Sequence, residues 1–398
     1  MSLNQSIPYG RHWISDDDID AVLSVLQSDF LTQGPKVREF EKNFSDYIGC
    51  RHAVALANGT AALHLSVQAL GLKPGEKVVT TPITFAASAN CILYVGGEVE
   101  FVDIDSDTFL MDLNQLEDKL RQGVFRGIIP VDFTGLAVNM EQIRWLADRY
   151  GCWILEDACH APGASFISSH GETVRCGNGF YADAAIFSFH PVKHIAAGEG
   201  GMVTTNRQDL TQKIELLRNH GITKKSGEMF DNHGGWYYEM QELGFNYRLS
   251  DIHAALGLNQ LERIEDGLVR RRDIAKRYSE AFDDLPEILT QKVTSSQRND
   301  HHAYHLYVIR VNHRKELYDY LHGQRVFVQV HYIPLHSQPY YVGRYGTQNF
   351  PNAEAYYEQC LSLPLYPSLT PDEQEFIIQA VLGFFDESNC DYSRSWGK

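Results

Sequence analysis

The feature that most constrains the fold is an alternation of short apolar runs with amphipathic helical patterns between about Ser15 and Arg207. The runs are five to seven residues long and rich in β-branched or aromatic residues, as strands usually are. They cover residues 53–57, 77–81, 98–104, 127–133, 153–157, 184–189 and 201–205. Strands that alternate with helices form a sheet with helices on its faces. We therefore predict an α/β fold with a large, mostly parallel sheet of about seven strands.

The pattern changes after a long helical stretch over 250–282. The remainder contains strand patterns at 305–311 and 325–332 together with helical patterns, enough for a small α+β domain. Because 398 residues exceed the usual size of one domain, two are expected. We predict a large domain over 15–282 and a small domain over 283–398, with residues 1–14 packed near the functional site.

Composition excludes several classes of protein. The 35 Lys and Arg residues against 51 Asp and Glu give a net charge of -16, so the chain lacks the basic surface expected of a nucleic-acid or membrane binder. No stretch reaches the roughly 18 apolar residues that span a bilayer. The seven cysteines are scattered without a Cys-x-x-Cys pair. We expect a cytoplasmic protein with neither a membrane nor a nucleic-acid partner.

Polar residues directly after predicted strands are the first candidates for a site, because open α/β sheets bind ligands at the carboxyl ends of their strands. Asn58, Gly59, Thr60 and Ala61 follow the first strand and begin a helical pattern. A helix N-terminus offers free N–H groups and a positive dipole end to a phosphate. Asn and Thr are also ordinary N-caps, and capping alone explains this segment more often.

A second candidate is Asp157, at the end of the predicted strand 153–157, with His160 close behind it. A buried carboxylate needs a cationic partner to remain ionised, and a protonated pyridine nitrogen is such a partner. A capping aspartate and a packed histidine explain this segment equally well.

The third candidate is Lys193, which follows the strand 184–189 in FSFHPVKH and precedes the glycines of GEGG. Burial and neighbouring cations lower the pKa of a lysine in such a loop, which makes the neutral amine a nucleophile. Most lysines are only solvated charges, but the glycines permit close approach of the backbone to a ligand. A phosphate cradle, a carboxylate and a reactive lysine together are what pyridoxal phosphate requires of a protein.

The chain also resembles a known family from residue 7 to about residue 367. The resemblance is strongest, in chain order, in LTQGPKVREFE, ANGTAALHL, TTPITFAASAN, EDACHAPGA, FSFHPVKHIAAGEGGMVTTN, GFNYRLSDIHAALGLNQL and VQVHYIPLH. These segments are similar to the DegT/DnrJ-type sugar aminotransferases, which are pyridoxal-phosphate enzymes of fold type I. The resemblance implies a nucleotide-sugar aminotransferase that forms a homodimer with shared active sites.

The resemblance also implies roles for single residues. Lys193 would bond to the cofactor's aldehyde and later move a proton, and Asp157 would keep the pyridine nitrogen protonated. His160 would lie by the cofactor's phenolic oxygen, and Phe85 would stack on its ring. The residues that would bind the phosphate are Thr60, Ala61, Ser188 and, from a second subunit, Asn246. The residues that would contact the sugar nucleotide are Tyr9, Leu31, Thr32, His331 and Tyr332.

Some segments indicate a substrate class. PYGRHWIS, SDFLTQG, SFHPVK, HLYVI and QVHY are most similar to family members of pseudaminic acid biosynthesis. Those members transfer an amino group, usually from L-glutamate, to carbon 4 of a UDP-linked 4-keto-6-deoxy-N-acetyl-hexosamine. Ile333 departs from their pattern, which has lysine there. Members that act on 4-amino-4-deoxy-arabinose, bacillosamine or perosamine precursors remain the alternative.

Two other classes of protein fit the sequence less well. The cluster His301, His302 and His305 does not have the spacing of a zinc site, so no metal is expected. A non-catalytic binding module would be favoured by loss of Lys193 or Asp157, and some family members with histidine in place of the lysine are dehydratases. Both residues are present, which favours an aminotransferase.

Overall fold

In the computed structural model, the described residues are 6–294, 297–298 and 301–395, and residues 387–395 are described as backbone only. The central element of this part of the chain is a seven-stranded sheet. Its strands are β1 (His52–Leu56), β2 (Lys77–Thr80), β3 (Glu98–Phe101), β4 (Gly127–Ile128), β5 (Trp153–Asp157), β8 (Ala184–Ser188) and β9 (Gly201–Thr205). Their spatial order is β1, β9, β8, β5, β4, β2, β3.

The sheet is mostly parallel, as the alternating pattern predicts. β2, β3, β4, β5 and β8 pair in parallel, whereas β9 pairs antiparallel with both β8 and β1. The carboxyl ends of the parallel strands therefore share one edge of the sheet. The antiparallel pair β8–β9 forms a long hairpin at that edge, closed by the pairing of Ser188 with Gly201.

Helices connect and cover the strands. They are α1 (Asp16–Leu26), α2 (Pro35–Ile48), α3 (Gly59–Ala69), α4 (Ala87–Tyr94), α5 (Leu113–Gln122), α6 (Met140–Tyr150), α7 (Gln208–Leu217), α8 (Asp251–Glu262), α9 (Ile264–Phe282), α10 (Arg314–Gly323), α11 (Pro339–Tyr345), α12 (Pro351–Gln359) and α13 (Pro371–Ser395). The single helical stretch predicted over 250–282 is two helices, because Arg263 leaves the helical region with φ -112° and ψ 17°. Across the described residues, none of the helices combines the length and the apolar character needed to cross a membrane.

Three smaller sheets complete the structure of the described residues. They are β6 (Ser165–Ile167) with β7 (Thr173–Arg175), β10 (Ile222–Thr223) with β11 (Glu239–Met240), and β12 (Leu289–Thr290) with β13 (Tyr307–Arg310) and β14 (Cys360–Leu363). β13 occupies the predicted strand 305–311. The strand predicted over 325–332 is wrong, because this segment pairs at single residues only, Val326 with Ile7 and Gln329 with Ser362.

Apolar side chains bury the main sheet on both faces. Val78 and Val79 are neighbours in β2 yet belong to two different core clusters, because successive side chains of a strand point to opposite faces. A third cluster surrounds β13 and β14 and includes Tyr278 of α9 and Ile7. This third cluster contains residues on both sides of the predicted domain boundary at 282/283. The boundary therefore remains a prediction.

Candidate active site

A cavity of about 430 Å³ lies at the carboxyl ends of β5 and β8. Nine of the thirteen site residues predicted from the sequence line it: Tyr9, Thr60, Phe85, Asp157, His160, Ser188, Lys193, His331 and Tyr332. These residues come from the N-terminal segment, the main sheet and the segment after Arg325. The fold therefore brings together most of the residues that were proposed separately.

Lys193 is carried by the hairpin loop between β8 and β9. Its backbone N–H donates to the carbonyl of His190 at 2.8 Å, and its Nζ lies 3.3 Å from Nε2 of His305. Burial lowers the pKa of the Lys193 amine, although the nearby acidic groups of Cys159 and Asp157 oppose this shift. A lowered pKa leaves a larger share of the amine neutral, which is the form that attacks an aldehyde.

Asp157 ends β5 and is buried, with 5% of its surface exposed. Ser88 Oγ in α4 donates a 2.6 Å hydrogen bond to Asp157 Oδ2, and the N–H of Cys159 donates to Oδ1 at 3.2 Å. Thr84 Oγ1 lies 2.8 Å from Ser88 Oγ and extends this network. The two donors fix the orientation of a carboxylate that faces the cavity.

His160 has an unused polar atom in the wall of the cavity. Its Nε2 lies 3.4 Å from the hydroxyl of Tyr332, and its buried Nδ1 has no hydrogen-bond partner among the described residues. Burial, with Lys193 as a further cause, holds the pKa of His160 well below its usual range, so the imidazole is neutral. Since buried polar atoms are nearly always paired, a polar ligand in the cavity would complete this residue's hydrogen bonding.

The N-terminus of α3 forms another wall of the cavity. Asn58 caps the helix by accepting the N–H of Ala61 at 2.8 Å, so the capping interpretation of this segment is confirmed. A Cβ on Gly59 would lie 3.0 Å from Cβ of Ser188, so glycine allows the helix to begin close to the end of β8. The first amides of a helix have no partner within the helix, and those of Gly59 and Thr60 remain available for an anion beside Ser188.

Four predicted residues do not line this cavity: Ala61, whose N–H is bonded to Asn58, and Leu31, Thr32 and Asn246, which are exposed. Thr32 pairs with Ser250, and Asn246 pairs with Asn219. Asn219 and the residues after Thr32 line a second cavity, of about 480 Å³. Leu31, Thr32 and Asn246 thus flank a separate surface region within one chain.

Sequence reasoning missed two residues of the site. Ser88 lies within the segment TTPITFAASAN, where a serine in an apolar helical pattern has no distinctive signal. His305 belongs to a histidine cluster whose spacing suggests at most a metal ligand, whereas the structure places it in the cavity wall against Lys193. The only signal in the sequence was that His305 is the first residue of the predicted strand 305–311.

The fold and the site together define a class of enzyme. A lysine with a lowered pKa, a buried carboxylate and a helix N-terminus surround one cavity at the end of a mostly parallel sheet, as in pyridoxal-phosphate enzymes of fold type I. The unpaired Nδ1 of His160 fits the phenolic oxygen of that cofactor, and the close approach of the α3 N-terminus to Ser188, which Gly59 allows, fits its phosphate.

Comparison with known proteins identifies the family. Residues 13–382 match the DegT/DnrJ/EryC1/StrS aminotransferase family, and the chain belongs to it. Members of this family are sugar aminotransferases that use pyridoxal phosphate as cofactor, and so does this protein. The resemblance found in the sequence is thereby confirmed, as are the class of enzyme and the cofactor.

Several relatives cover nearly the whole chain. The spore coat polysaccharide biosynthesis protein SpsC of Bacillus subtilis is 38% identical over 95% of this chain and 97% of its own length. The UDP-4-amino-4,6-dideoxy-N-acetyl-beta-L-altrosamine transaminase of Campylobacter jejuni is 37% identical over 97% of this chain and 99% of its own. The solved structure of Helicobacter pylori PseC, an aminotransferase of pseudaminic acid biosynthesis, superposes with a TM-score of 0.87 at 30% identity, over 96% of this chain and 100% of that one.

Proposed function

We propose that this aminotransferase transfers an amino group from L-glutamate to carbon 4 of a UDP-linked 4-keto-6-deoxy-N-acetyl-hexosamine. The product would be UDP-4-amino-4,6-dideoxy-N-acetyl-β-L-altrosamine, an intermediate of pseudaminic acid biosynthesis. The observation that carries the proposal is the placement of Lys193 and Asp157 in one cavity with Tyr9, His331 and Tyr332. The relatives from Campylobacter jejuni and Helicobacter pylori support the substrate class.

Each residue has a distinct proposed task. Bound pyridoxal phosphate supplies an aldehyde and an electron-withdrawing ring. Lys193 provides the neutral amine that holds this group, and Nζ then carries the proton between substrate carbon and cofactor carbon. Asp157, oriented by Ser88, would face the positively charged ring nitrogen with its carboxylate. Thr60 in the first turn of α3 and Ser188 at the end of β8 would hold the phosphate.

The substrate end of the cavity consists of aromatic and imidazole side chains. The rings of Tyr9 and His331 lie 5.3 Å apart, and those of Phe85 and Tyr332 lie 6.2 Å apart. His331 is held in place because its Nδ1 lies 2.9 Å from the hydroxyl of Ser362. Side chains of this kind combine apolar contact with the polar groups that recognise a sugar, which supports their proposed role.

A homodimer with shared active sites is part of the proposal. Leu31, Thr32 and Asn246 flank a surface cavity away from Lys193, so in a dimer they would complete the partner's site. Arg248 lines the same surface cavity and would offer positive charge to a nucleoside diphosphate, whereas Arg218 there is paired with Glu41. We also propose a cytoplasmic location, which is supported by the free thiols of the six cysteines that the structure describes.

A second candidate is another nucleotide-sugar aminotransferase, of the 4-amino-4-deoxy-arabinose, bacillosamine or perosamine type. The observation that favours it is the relative SpsC, which is as similar to this chain as the altrosamine transaminase is. Ile333, 46% exposed and adjacent to Tyr332, stands where the sequence resemblance has lysine. This difference lies close to the proposed sugar contacts.

Absorption spectroscopy and substrate profiling test the proposal in turn. Visible absorption of the protein with pyridoxal phosphate should show a yellow lysine-bound form that L-glutamate converts to the pyridoxamine form. The converted protein is then mixed with the UDP-linked 4-keto-6-deoxy-N-acetyl-hexosamine that precedes the altrosamine, with its epimer at carbon 5, with a UDP-linked 4-keto pentose and with a GDP-linked 4-keto sugar. Return of the yellow form with the altrosamine precursor alone supports the proposal. Preference for any of the other three sugars supports the second candidate, and failure of L-glutamate to form the pyridoxamine form contradicts L-glutamate as the donor.

A further inference from the structure

Three histidines, His160, His194 and His305, pack against one another next to the amine of Lys193. Nε2 of His305 lies 3.3 Å from Nζ of Lys193, and the ring of His305 lies 4.2 Å from that of His160. His194 packs on the other side, with its ring 5.7 Å from that of His305 and its Nε2–H donating to the carbonyl of Ala303 at 2.9 Å. His305 is therefore held in place and in direct contact with the reactive amine.

The surroundings of His305 keep its imidazole neutral. The side chain is 5% exposed, and Arg271, together with Lys193 whenever that amine is protonated, places positive charge close to it. Burial first, and then these charges, hold the pKa of His305 well below its usual range. A neutral imidazole carries one ring proton, either on Nδ1 or on Nε2.

The hydrogen bonding of the ring decides between the two positions of that proton. Nδ1 of His305 is buried and has no hydrogen-bond partner among the described residues. A buried N–H without an acceptor is among the least tolerated arrangements in proteins, so the proton belongs on Nε2. Nε2–H then faces Nζ of Lys193, and it can donate to that nitrogen only if the amine is neutral and has a lone pair.

We propose that His305 is a positioning residue which donates a hydrogen bond from Nε2 to the neutral amine of Lys193 and so keeps this amine unprotonated and oriented. The inference rests on the proposed role of Lys193. It concerns the state in which the lysine is not bonded to the cofactor. The groups that face the amine are Asp157 at the end of β5, Cys159 and His160 just after it, His194 in the same loop as Lys193, Arg271 of α9, His305 and His331.

The test measures the reactivity of Lys193 rather than turnover. Cofactor-free protein is mixed with pyridoxal phosphate at a series of pH values. The C=N bond between the lysine and the aldehyde is then reduced with borohydride, and the labelled fraction of Lys193 is quantified by mass spectrometry. H305F and H305N remove the donor at Nε2, so the pKa of Lys193 should rise by about one unit and labelling at pH 7 should fall about tenfold. H305Q places an amide N–H where Nε2 was, and labelling should stay within about twofold of wild type.

The controls separate this inference from the proposal on which it rests. H302Q changes an equally buried histidine of the same segment that bonds Gln291 and Thr134, and its labelling should match wild type. An unchanged pH profile in H305F and H305N, or a shift to lower pH, overturns the inference. Absence of label at Lys193 in the wild type overturns the role of Lys193 itself. If neither variant folds, ¹⁵N NMR of histidine-labelled wild type decides, because a proton on Nδ1 of His305 contradicts the proposal.

Discussion

The hydroxyl of Ser88, in the first turn of α4, donates a 2.6 Å hydrogen bond to the carboxylate of Asp157, at the end of β5. Both side chains are buried, at 1% and 5% exposure. The serine thus orients the carboxylate that would face the cofactor's ring nitrogen. Hydrogen bonds to charged groups contribute about 1.5–3 kcal/mol, so this contact is strong enough to matter for both folding and binding.

The variant S88A should therefore bind pyridoxal phosphate more weakly, by about tenfold, because one donor to Asp157 is lost. The dissociation constant is measured by titration of the visible absorption. The matched control is S66A, which also removes a fully buried serine hydroxyl, but one whose oxygen has no hydrogen-bond partner among the described residues. Equal affinities in S88A and S66A would contradict the role given to Ser88.

Replacement of Lys193 tests the centre of the site. K193A should show neither the yellow cofactor absorption nor transamination, because no other amine of the cavity wall replaces Nζ within the described residues. Its unfolding free energy should fall by at most about 1 kcal/mol, since the amine is not part of an apolar core. K224A, at an exposed lysine, should keep full absorption and turnover. Turnover in K193A at the wild-type rate would refute the assignment.

Mixed dimers test whether sites are shared between subunits. K193A and N246A, each with low activity alone, are mixed at equal concentration and allowed to exchange subunits. Half of the dimers are then mixed, each with one intact site, so about a quarter of wild-type activity should return. The control pair K193A and D157N should not recover, because both changes lie in the same cavity of one chain. Equal recovery, or none, in both mixtures would contradict shared sites.

A pair of buried carboxyl groups lies beneath the site and predicts an effect of pH on stability. Asp132 and Glu156 are 0% and 3% exposed; burial raises the pKa of Asp132 to about 6 and that of Glu156 well above its usual range. Glu156 accepts the N–H of Gly177 at 2.9 Å, and Asp132 accepts that of Val138 at 2.8 Å. The folded protein therefore keeps a proton on Glu156 that the unfolded chain releases above about pH 4.5.

Stability should consequently decrease as pH rises between 6 and 8, by about 1.4 kcal/mol per pH unit for each proton retained. E156Q carries a neutral amide in place of the protonated acid. Its unfolding free energy should therefore decrease with pH less steeply than that of the wild type, by about 1.4 kcal/mol per pH unit. Unfolding free energies from urea titrations at pH 6, 7 and 8 check this. E172Q makes the same change at an exposed position and should keep the wild-type slope. The same slope in E156Q would show that Glu156 is ionised in the folded protein as it is in the unfolded chain, and would contradict the raised pKa.

The main sheet and most of the site were predictable because their signals are local. Each strand has its own short apolar run; Asp157 ends one such run, and Lys193 lies in the loop that follows another. Parallel strands place their carboxyl ends at one edge, so residues far apart in sequence were expected to meet there. The family resemblance added Tyr9, His331 and Tyr332, which no local pattern connects with the sheet.

What the sequence did not predict depends on contacts between distant segments. The segment 325–332 has the composition of a strand, yet its pairing partners, Ile7 and Ser362, meet it at single positions only. The bond from Ser88 to Asp157 joins residues 69 positions apart, and the contact of His305 with Lys193 spans 112. Such contacts have no periodicity, and only the assembled fold brings them together.

Both ends of the loop that carries Lys193 are fastened to the sheet. Ser188 pairs with Gly201, the N–H of Phe189 donates to the carbonyl of Gly200 at 2.8 Å, and that of Ala197 donates to the carbonyl of Phe189 at 2.9 Å. The conformational entropy of this loop is therefore lost once, when the protein folds, and not again in each turnover. Movement of the amine between its bonded and free positions then takes place by rotation about the side-chain bonds of the lysine. The amides that close the loop should accordingly exchange their hydrogens slowly throughout the reaction cycle.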